Sequence, residues 1–379
     1  MIELKNLYKS YRGKSVLMNI SLTIQDNEFF VLIGSSGCGK TTLLKTLNKL
    51  NPIDKGEILI NGTPINRIKV TQLPRLMGYV VQEGGLFPHM TVEDNIALAM
   101  RVAGYPKEKI YDRITELLEL VNLEPDQYRS QYPSQLSGIG VARAFAADPE
   151  IILMDEPFSA LDPMTRAELQ DEVHRLQLRF HKTIVFVTHD MDEAVKLADR
   201  ICILQNGHVV QCDKPENILK HPANEYINSF IGKNRLWENP SFIRAEDIMR
   251  PRPITISQSR TVVQAVQLMR HYNIDSLLVT GDDNKFAGMV WLQDLIGIDQ
   301  YSSPVSSFLS DDYLSVRVDD SLSTVLEKVA DYGEKDFGIL PVLDAEGAIR
   351  GFLNRSSLLS TLSRRFIDEP VERDEQEGA

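Results

Sequence analysis

The segment GSSGCGKT, Gly34–Thr41, constrains the fold of this chain more than any other part of its 379 residues. It has the pattern G-x-x-x-x-G-K-[ST] and lies between the apolar run FFVLI and the helix-forming run TTLLKTLNKL, the context that predicts a phosphate-binding loop. Glycine lets backbone N–H groups turn towards a phosphate, the helix N-terminus adds its positive end, and Lys40 supplies a mobile cation. The residues that we assign to phosphate binding are Gly34, Ser35, Ser36, Gly37, Cys38, Gly39, Lys40, Thr41 and Thr42.

Two acidic residues end a second apolar run, IILMDEP at Ile151–Pro157. Carboxylates at the end of a buried strand are costly unless they face a cation or a reacting water. We expect Asp155 to hold Mg²⁺ together with the Thr41 hydroxyl, and Glu156 to orient and polarise an attacking water. The sequence therefore predicts a site for phosphoryl chemistry with a bound metal ion.

Short runs rich in Val, Ile and Phe alternate with helix-forming segments in residues 1–235, which we place as the first domain. This pattern is typical of an α/β fold with a mainly parallel sheet. Residues 236–244 contain Pro240 and lack clear periodicity, so we interpret them as a linker. Residues 363–379 are charged and poor in apolar side chains, which predicts a disordered acidic tail.

An internal repeat comes after the linker. The segment PITISQSRTVVQAVQLM corresponds to the later segment SVRVDDSLSTVLEKVA, so that Ile256 aligns with Val318. Gly288 corresponds in the same way to Gly351, so the two copies are offset by 62 to 63 residues. Each copy has the pattern strand, amphipathic helix, strand, turn, strand and helix, which predicts an α+β pair that buries its two sheets against each other. We place the copies at 245–300 and 301–362.

Charge and composition exclude several classes of protein. The net charge is −12, from 41 Lys and Arg against 53 Asp and Glu, so no global positive field recruits nucleic acid. Cys38, Cys202 and Cys212 are too few and too scattered for a disulfide framework or a metal cluster. No apolar run approaches the roughly 18 residues of a membrane span, and the first residues lack a signal-peptide pattern. Any role at a membrane is therefore expected to depend on partner proteins.

Together these motifs resemble the ATP-binding cassette (ABC) family, and further segments fit in the family's order. The resemblance implies that Tyr11 in KSYRGKS stacks on adenine, that Gln82 in YVVQEGG contacts Mg²⁺ and faces a membrane partner, and that His189 in FVTHD contacts the γ-phosphate. Asp162 ends the segment SALD, which in the family crosses a dimer interface next to the nucleotide. The chain thus resembles a P-loop nucleotide hydrolase with a helical subdomain, which binds ATP and Mg²⁺ and works as a homodimer. The catalytic residues implied are Glu156, His189 and Gln82.

The family signature, LSGGQ followed by Gln-Gln-Arg, is incomplete in this chain. In YPSQLSGIGVARAF, Ser137 and Gly138 are present, but about five residues are missing before Ile139. In the family this serine and the amides after it contact the nucleotide of the partner subunit. At about 1.5 Å of rise and 100° of rotation per residue, the loss shortens the helix and rotates its remaining residues about the helix axis. Two interpretations stay open: hydrolysis is impaired while ATP binding survives, or the gap is absorbed locally and Ser137 caps a shorter helix.

The repeat resembles a tandem pair of cystathionine-β-synthase (CBS) domains, modules that often bind adenosyl ligands or respond to ionic conditions. Members that bind a nucleotide commonly end each copy with Thr or Ser and an Asp three residues later. The first copy has Trp291 and Asp294 at these positions, and the second has Asn354 and Ser357. Two roles therefore stay open: sensing of a nucleotide second messenger or of ionic strength, or dimerisation and docking without a ligand.

A cassette followed by paired CBS domains resembles the ATP-binding subunits of bacterial importers for glycine betaine, carnitine or choline. The resemblance implies a peripheral subunit on the cytoplasmic face of the membrane. Its partners would be integral permease subunits and, indirectly, an extracellular solute-binding protein. Two functions other than that of an importer subunit stay open. A soluble cassette ATPase acting on nucleic acid or ribosomes fits poorly with a single cassette and an acidic charge, whereas a regulatory nucleotide-binding subunit fits the incomplete signature.

Overall fold

The chain divides into two units, residues 1–231 and residues 232–379. The computed structural model describes residues 1–82, 85–133, 138–159, 161–232, 235–281, 283–298, 301–333 and 337–363. Ser137 and nearly all of the predicted acidic tail lie outside these ranges.

The first unit alternates strands and helices. Its described strands are β1 (Ile2–Tyr11), β2 (Lys14–Ile24), β3 (Phe29–Ile33), β4 (Lys55–Ile60), β5 (Thr63–Pro64), β6 (Met77–Val80), β7 (Ile151–Asp155), β8 (Thr183–Thr188), β9 (Arg200–Gln205) and β10 (His208–Asp213). Its described helices are α1 (Lys40–Leu47), α2 (Leu73–Leu76), α3 (Val92–Val102), α4 (Lys107–Leu120), α5 (Pro125–Tyr128), α6 (Gly138–Ala146), α7 (Pro163–Phe180), α8 (Met191–Leu197), α9 (Pro215–Lys220) and α10 (Glu225–Ile231).

The main sheet of this unit has the strand order β10-β9-β3-β8-β7-β6. Neighbouring strands from β9 to β6 run parallel, and β10 pairs antiparallel with β9 at one edge. β3, β7 and β8 are buried along their whole length, as expected for apolar runs that are covered on both faces. The predicted α/β fold with a mainly parallel sheet is confirmed, and the carboxyl ends of its parallel strands meet at one edge of the sheet.

An antiparallel sheet with the order β2-β1-β4-β5 shares a hydrophobic core with the main sheet. That core contains Leu7 and Leu17 of the antiparallel sheet together with Leu32, Leu44 and Val185. The helices α3, α4 and α6 contact one another and form the predicted helical subdomain. Among the helices within the described ranges, none combines the length and the apolar character needed to cross a membrane.

The second unit contains the sequence repeat. Its described strands are β11 (Thr255–Ser257), β12 (Ser276–Thr280), β13 (Phe286–Trp291), β14 (Val316–Arg317), β15 (Ile339–Leu343) and β16 (Ile349–Asn354). Its described helices are α11 (Arg235–Glu238), α12 (Ala245–Ile248), α13 (Val262–Tyr272), α14 (Leu292–Leu295), α15 (Leu322–Tyr332) and α16 (Arg355–Ser363). Each copy forms a three-stranded sheet, β11-β12-β13 or β14-β15-β16, in which the first pair is parallel and the second antiparallel. Hydroxyl caps begin the main helix of each copy, because Thr261 and Ser321 accept hydrogen bonds from backbone N–H groups three residues later.

The segment that leads into each copy packs in the hydrophobic core of the other copy. Ile243 and Ala245, which precede the first copy's sheet, lie in the core of the second copy with Leu340. Val305, which precedes the second copy's sheet, lies in the core of the first copy with Leu277. The two copies are therefore interlocked, whereas the boundary that we placed between residues 300 and 301 stays a prediction.

Candidate functional site

The residues singled out by the sequence motifs follow four neighbouring strands at one edge of the main sheet. Gly34 follows β3, His189 follows β8, Glu156 follows β7, and Gln82 comes two residues after β6. Strand register aligns these ends, since Ile33 pairs with Thr188 and Asp155 with Val187. Parallel pairing of apolar strands thus brings together side chains that are far apart in the sequence.

The phosphate-loop candidate is packed tightly against its neighbours. A Cβ atom at Gly34 would lie 2.2 Å from the carbonyl oxygen of Leu204, so only glycine fits there. Gly39 precedes helix α1 with a φ of +111°, and a Cβ there would lie 2.9 Å from the carbonyl oxygen of Val16. The buried ammonium group of Lys40 donates hydrogen bonds to the carbonyl oxygens of Gly34 at 2.7 Å and Ser35 at 3.3 Å. The loop therefore holds a cation at the N-terminus of α1, where the helix dipole also favours an anion.

Thr41 and Asp155 join the loop to the end of β7. The Thr41 hydroxyl donates a hydrogen bond to Oδ1 of Asp155 at 2.8 Å, and Asp155 is only 2% exposed. Burial raises the pKa of Asp155, although the hydrogen bond from Thr41 opposes this shift. A hydroxyl oxygen beside a carboxylate whose charge is poorly solvated provides the hard oxygen donors that Mg²⁺ prefers. The residues present therefore fit a magnesium ion, with the Gln82 side chain as a further oxygen donor.

Glu156 has an unusual backbone and two polar partners. Its φ is +45°, the left-handed region that non-glycine residues adopt at a cost, and its N–H donates to the carbonyl oxygen of Val187 at 3.0 Å. Its Oε2 atom accepts a hydrogen bond from Nε2 of Gln82 at 3.2 Å and lies 3.1 Å from Nδ1 of His189. The strained turn directs the carboxylate towards both residues and holds it in one place.

A cavity of about 480 Å³ connects most of these groups, although Gly34 and Asp155 do not line it. Its lining residues are Val16, Ser36, Gly37, Gly39, Lys40, Thr41, Thr42, Gln82, Glu156 and His189. Val16 also lines the cavity, but no motif predicts this, because Val16 belongs to an ordinary apolar run, VLM, within a strand. The cavity thus exposes a cationic phosphate loop on one side and a carboxylate with a histidine and a glutamine on the other.

Several predicted residues do not line this cavity. Tyr11 ends β1 with 43% of its surface exposed, and the ammonium group of Lys9 lies 5.1 Å from the centre of its ring. Ser35 takes part through its carbonyl oxygen only, and the Cys38 side chain packs in the core below the loop. Stacking of adenine on Tyr11 therefore stays a prediction.

Asp162 and Gly138, two of the residues predicted to act across a dimer, also lie outside the cavity. Asp162 caps helix α7, where its carboxylate accepts hydrogen bonds from the N–H groups of Met164 and Thr165, both at 3.1 Å. Gly138 begins helix α6, whose residues Ile139 and Phe145 are fully buried. Ser137 lies outside the described residues, so its contact with a partner's nucleotide stays a prediction.

The second unit contains a separate cavity of about 730 Å³ between the two repeats. Trp291 and Asp294 line it, together with Ser310 and Tyr332 from the second copy. The corresponding pair in the second copy, Asn354 and Ser357, is engaged in capping α16: the N–H of Ser357 donates to Oδ1 of Asn354 at 2.8 Å, and the N–H of Asn354 to Oγ of Ser357 at 3.0 Å. The two copies are therefore not equivalent as ligand sites.

An apolar groove of about 490 Å³ is lined in part by Val81 and Gly85, which lie on either side of Gln82 in the sequence. Phe87 and Val102 line it and are 41% and 61% exposed, so the groove presents apolar surface to solvent. Arg143 of α6 also lines the groove and donates a hydrogen bond to the carbonyl oxygen of Gly85. The groove is thus connected, through a few residues of chain, to the glutamine in the cavity.

Comparison with known families gives matches in both units. The ABC transporter family model matches residues 17–159, and the CBS domain model matches residues 245–299 and 305–364. The choline transport ATP-binding protein OpuBA of Bacillus subtilis is 43% identical over 367 residues, which cover 95% of each chain. The glycine betaine/carnitine/choline transport ATP-binding protein OpuCA of the same organism is 44% identical over 366 residues, again 95% of each chain.

Solved structures of the first unit's fold are also similar. One is a dimeric ATP-binding cassette in a post-hydrolysis state, bound to ADP and phosphate. It is 30% identical to this chain with a TM-score of 0.52, and the match covers 57% of this chain and 99% of that one.

Proposed function

Because the chain belongs to the ABC transporter family, in the group of transport ATP-binding proteins, we propose that it binds and hydrolyses ATP to drive solute uptake. The observation that carries this proposal is the meeting of Lys40, the Thr41–Asp155 pair and Glu156 at one sheet edge. These groups are the parts that phosphoryl transfer requires: a cationic cradle, oxygen donors for a metal ion and a carboxylate next to the reacting centre.

The side chains divide the work of hydrolysis. Lys40 and the loop amides bind the phosphate oxygens, and Thr41, Asp155 and Gln82 would hold Mg²⁺, which supplies charge neutralisation when bound. Glu156 orients and polarises the attacking water, because its carboxylate is fixed by the backbone turn and faces the cavity. His189 contacts the same carboxylate and lines the cavity, where it would contact the terminal phosphate.

A subunit with impaired hydrolysis, the alternative raised by the incomplete signature, gains no support from the comparisons. The relatives that match 95% of the chain are named as transport ATP-binding proteins. In the described residues α6 spans Gly138–Ala146, and its Ile139 and Phe145 are fully buried, so the helix that follows the gap is packed in the core.

We infer that the transported solute is a quaternary ammonium osmoprotectant such as choline, carnitine or glycine betaine. The support is the naming of both relatives for such solutes. The solute would cross through integral permease subunits after delivery by an extracellular binding protein, with this chain bound peripherally at the cytoplasmic face as a homodimer. The exposed apolar groove lined by Phe87 and Val102 is the surface that we assign to the permease, because Val81, the residue before Gln82, also lines it.

Regulation is assigned to the CBS pair. We propose that the cavity between the repeats senses a nucleotide second messenger, or that the module responds to ionic strength, and that either signal gates hydrolysis. The inequivalence of Trp291–Asp294 and Asn354–Ser357 supports at most one ligand of this kind per pair.

Reconstitution with the permease subunits in liposomes tests the proposed function, with phosphate release and uptake of labelled choline measured together. We expect both activities in the chain as written and neither with Glu156→Gln, which should still bind ATP. Insertion of GQQQR after Gly138 tests the alternative. Activity only in the inserted chain would establish impaired hydrolysis, and copurification with ribosomes in place of membranes would overturn the transport assignment.

A further inference from the structure

Cys202 and Cys212 lie directly opposite each other on the antiparallel strands β9 and β10. Residues opposite each other in an antiparallel pair have Cα atoms about 4.5 or 5.5 Å apart, depending on the type of pair. Both separations fall within the range of roughly 4.4 to 6.8 Å that a disulfide spans. The Cα separation of this pair therefore permits a bond between the two sulfur atoms.

The two thiols have different chemical surroundings. Nη2 of Arg200 donates a hydrogen bond to Sγ of Cys212 at 3.2 Å, while Arg200 also pairs with Glu28 at 3.1 Å. The hydrogen bond with Cys202 and the positive charge of Arg200 lower the pKa of Cys212, against the opposing effects of burial and of Glu28. The same hydrogen bond and complete burial raise the pKa of Cys202. Cys212 is therefore the better nucleophile of the two.

The solvent exposure of the two thiols follows the same order as their nucleophilicity. Cys202 is fully buried, whereas Cys212 is only partly buried on β10, the edge strand of the described sheet. The third cysteine, Cys38, is 4% exposed, and burial raises its pKa. A reagent from solvent therefore reaches Cys212 more readily than Cys202.

We propose that Cys212 and Cys202 form a peroxide-reactive pair, a modification site separate from the nucleotide cavity. The Cys212 thiolate attacks one oxygen of a hydroperoxide, the O–O bond breaks, and the other oxygen leaves as an alcohol or water after taking a proton. The resulting sulfenic acid is attacked by the Cys202 sulfur, the S–O bond breaks, and water leaves with the thiol proton. Two thiols are oxidised by two electrons, and one peroxide is reduced.

The position of the pair links it to the phosphate loop. Cys202 pairs with Leu32 of β3, the strand that leads into Gly34. In the turn between β9 and β10, the N–H of Gly207 donates to the carbonyl oxygen of Cys38 at 3.1 Å. The disulfide would therefore form in the hairpin that supports the loop, in a place where it locks β9 and β10 together.

Peptide mass spectrometry tests the proposal on the full chain. Trypsin leaves both cysteines in the single peptide 201–220, because Lys214 precedes Pro215, and it places Cys38 in the separate peptide 15–40. The reduced protein is treated with hydrogen peroxide, alkylated with iodoacetamide in denaturant and digested. We expect peptide 201–220 to lose two hydrogens and to resist alkylation until dithiothreitol is added, while peptide 15–40 is alkylated normally.

Single substitutions separate the two thiols. With Cys202→Ser, the sulfenic acid has no resolving thiol, so we expect dimedone to label Cys212; with Cys212→Ser, Cys202 should stay reduced. In the native protein without peroxide, iodoacetamide should react with Cys212 at least about tenfold faster than with Cys38. Oxidation of Cys38 before peptide 201–220, or peroxide-treated protein in which Cys202 and Cys212 both stay reduced, would overturn the proposal.

Discussion

The Thr41 hydroxyl donates a hydrogen bond to Oδ1 of Asp155 at 2.8 Å, although 114 residues of sequence separate the two. The bond is possible because β3 and β7 flank β8 in one parallel sheet, with their carboxyl ends at the same edge. It joins the phosphate loop directly to the acidic strand end. The loop and the acids therefore form one preorganised site.

Lys40→Ala is expected to weaken ATP binding by about 10- to 100-fold, since a hydrogen bond from a charged group to a phosphate contributes roughly 1.5 to 3 kcal/mol. Titration of a fluorescent ATP analogue measures the affinity. Lys55→Ala serves as the matched control, because Lys55 is an exposed lysine outside the cavity. Unchanged affinity in the Lys40 variant would contradict the assignment of the phosphate loop.

Glu156→Gln is expected to lower the rate of ATP hydrolysis by about 100-fold or more, the usual effect of removing a group that activates water. Glutamine keeps an oxygen for the contact with Gln82, so ATP affinity should change by less than about threefold. Phosphate release and nucleotide binding are measured on the same preparation. A variant that loses binding and hydrolysis together would show that Glu156 shapes the site without acting in the chemical step.

Gly39→Ala and Gly37→Ala separate crowding from backbone strain. Both residues have positive φ, +111° and +76°, but a Cβ at Gly37 meets nothing within 4 Å, whereas one at Gly39 meets Leu17 and Val16 at 2.9 Å. We expect Gly37→Ala to cost about 1 kcal/mol of unfolding free energy and Gly39→Ala about 3 kcal/mol. Urea unfolding followed by circular dichroism measures both, and equal costs would show that the close contact at Gly39 relaxes freely.

The sequence predicted those parts of the site that lie within single segments. The phosphate loop and the acidic strand end are each contiguous, and buried strands are recognisable as apolar runs such as FFVLI, so the α/β fold is confirmed. Val16 reaches the cavity only because β2 packs against the loop, a contact between segments that no motif encodes. The interlocking of the repeats was missed for a similar reason: equal sequence patterns show that two copies exist, but not which core Ala245 or Val305 enters.

A buried acid in the helix that follows His189 predicts how the stability of the protein depends on pH. Glu193 of α8 is 6% exposed, and its Oε2 accepts a hydrogen bond from Thr188 at 2.6 Å. Burial raises the pKa of Glu193, and the hydrogen bond from Thr188 opposes this only in part. The folded chain therefore holds this proton to higher pH than the unfolded chain, and the wild type loses stability as the pH rises through the raised pKa.

Glu193→Gln does not titrate and keeps an acceptor for Thr188. The unfolding free energy of the variant minus that of the wild type is expected to increase as the pH rises from below the ordinary glutamate pKa to above the raised one. Urea unfolding at several values between about pH 4 and pH 8 measures this difference. Glu168→Gln, at an exposed position of α7, should differ from wild type by less than about 0.5 kcal/mol throughout. A pH-independent difference for the Glu193 variant would show that its carboxyl is not affected by burial.

The interlocking of the repeats predicts which core mutations are coupled energetically, and sequence proximity alone would predict the opposite pairing. Val305 belongs by sequence to the second copy but is fully buried in the core of the first with Leu277. Leu340 is the counterpart of Leu277 in the other core. Val305→Ala should cost about 2 kcal/mol, and its cost should be non-additive with Leu277→Ala by about 0.5 kcal/mol or more, because mutations in one core share a cavity. With Leu340→Ala the costs should add within about 0.5 kcal/mol.

Tryptophan fluorescence during urea unfolding measures these free energies, because this unit contains both tryptophans of the chain, Trp237 and Trp291. Coupling of Val305 to Leu340 in place of Leu277 would mean that each lead-in segment packs in its own copy.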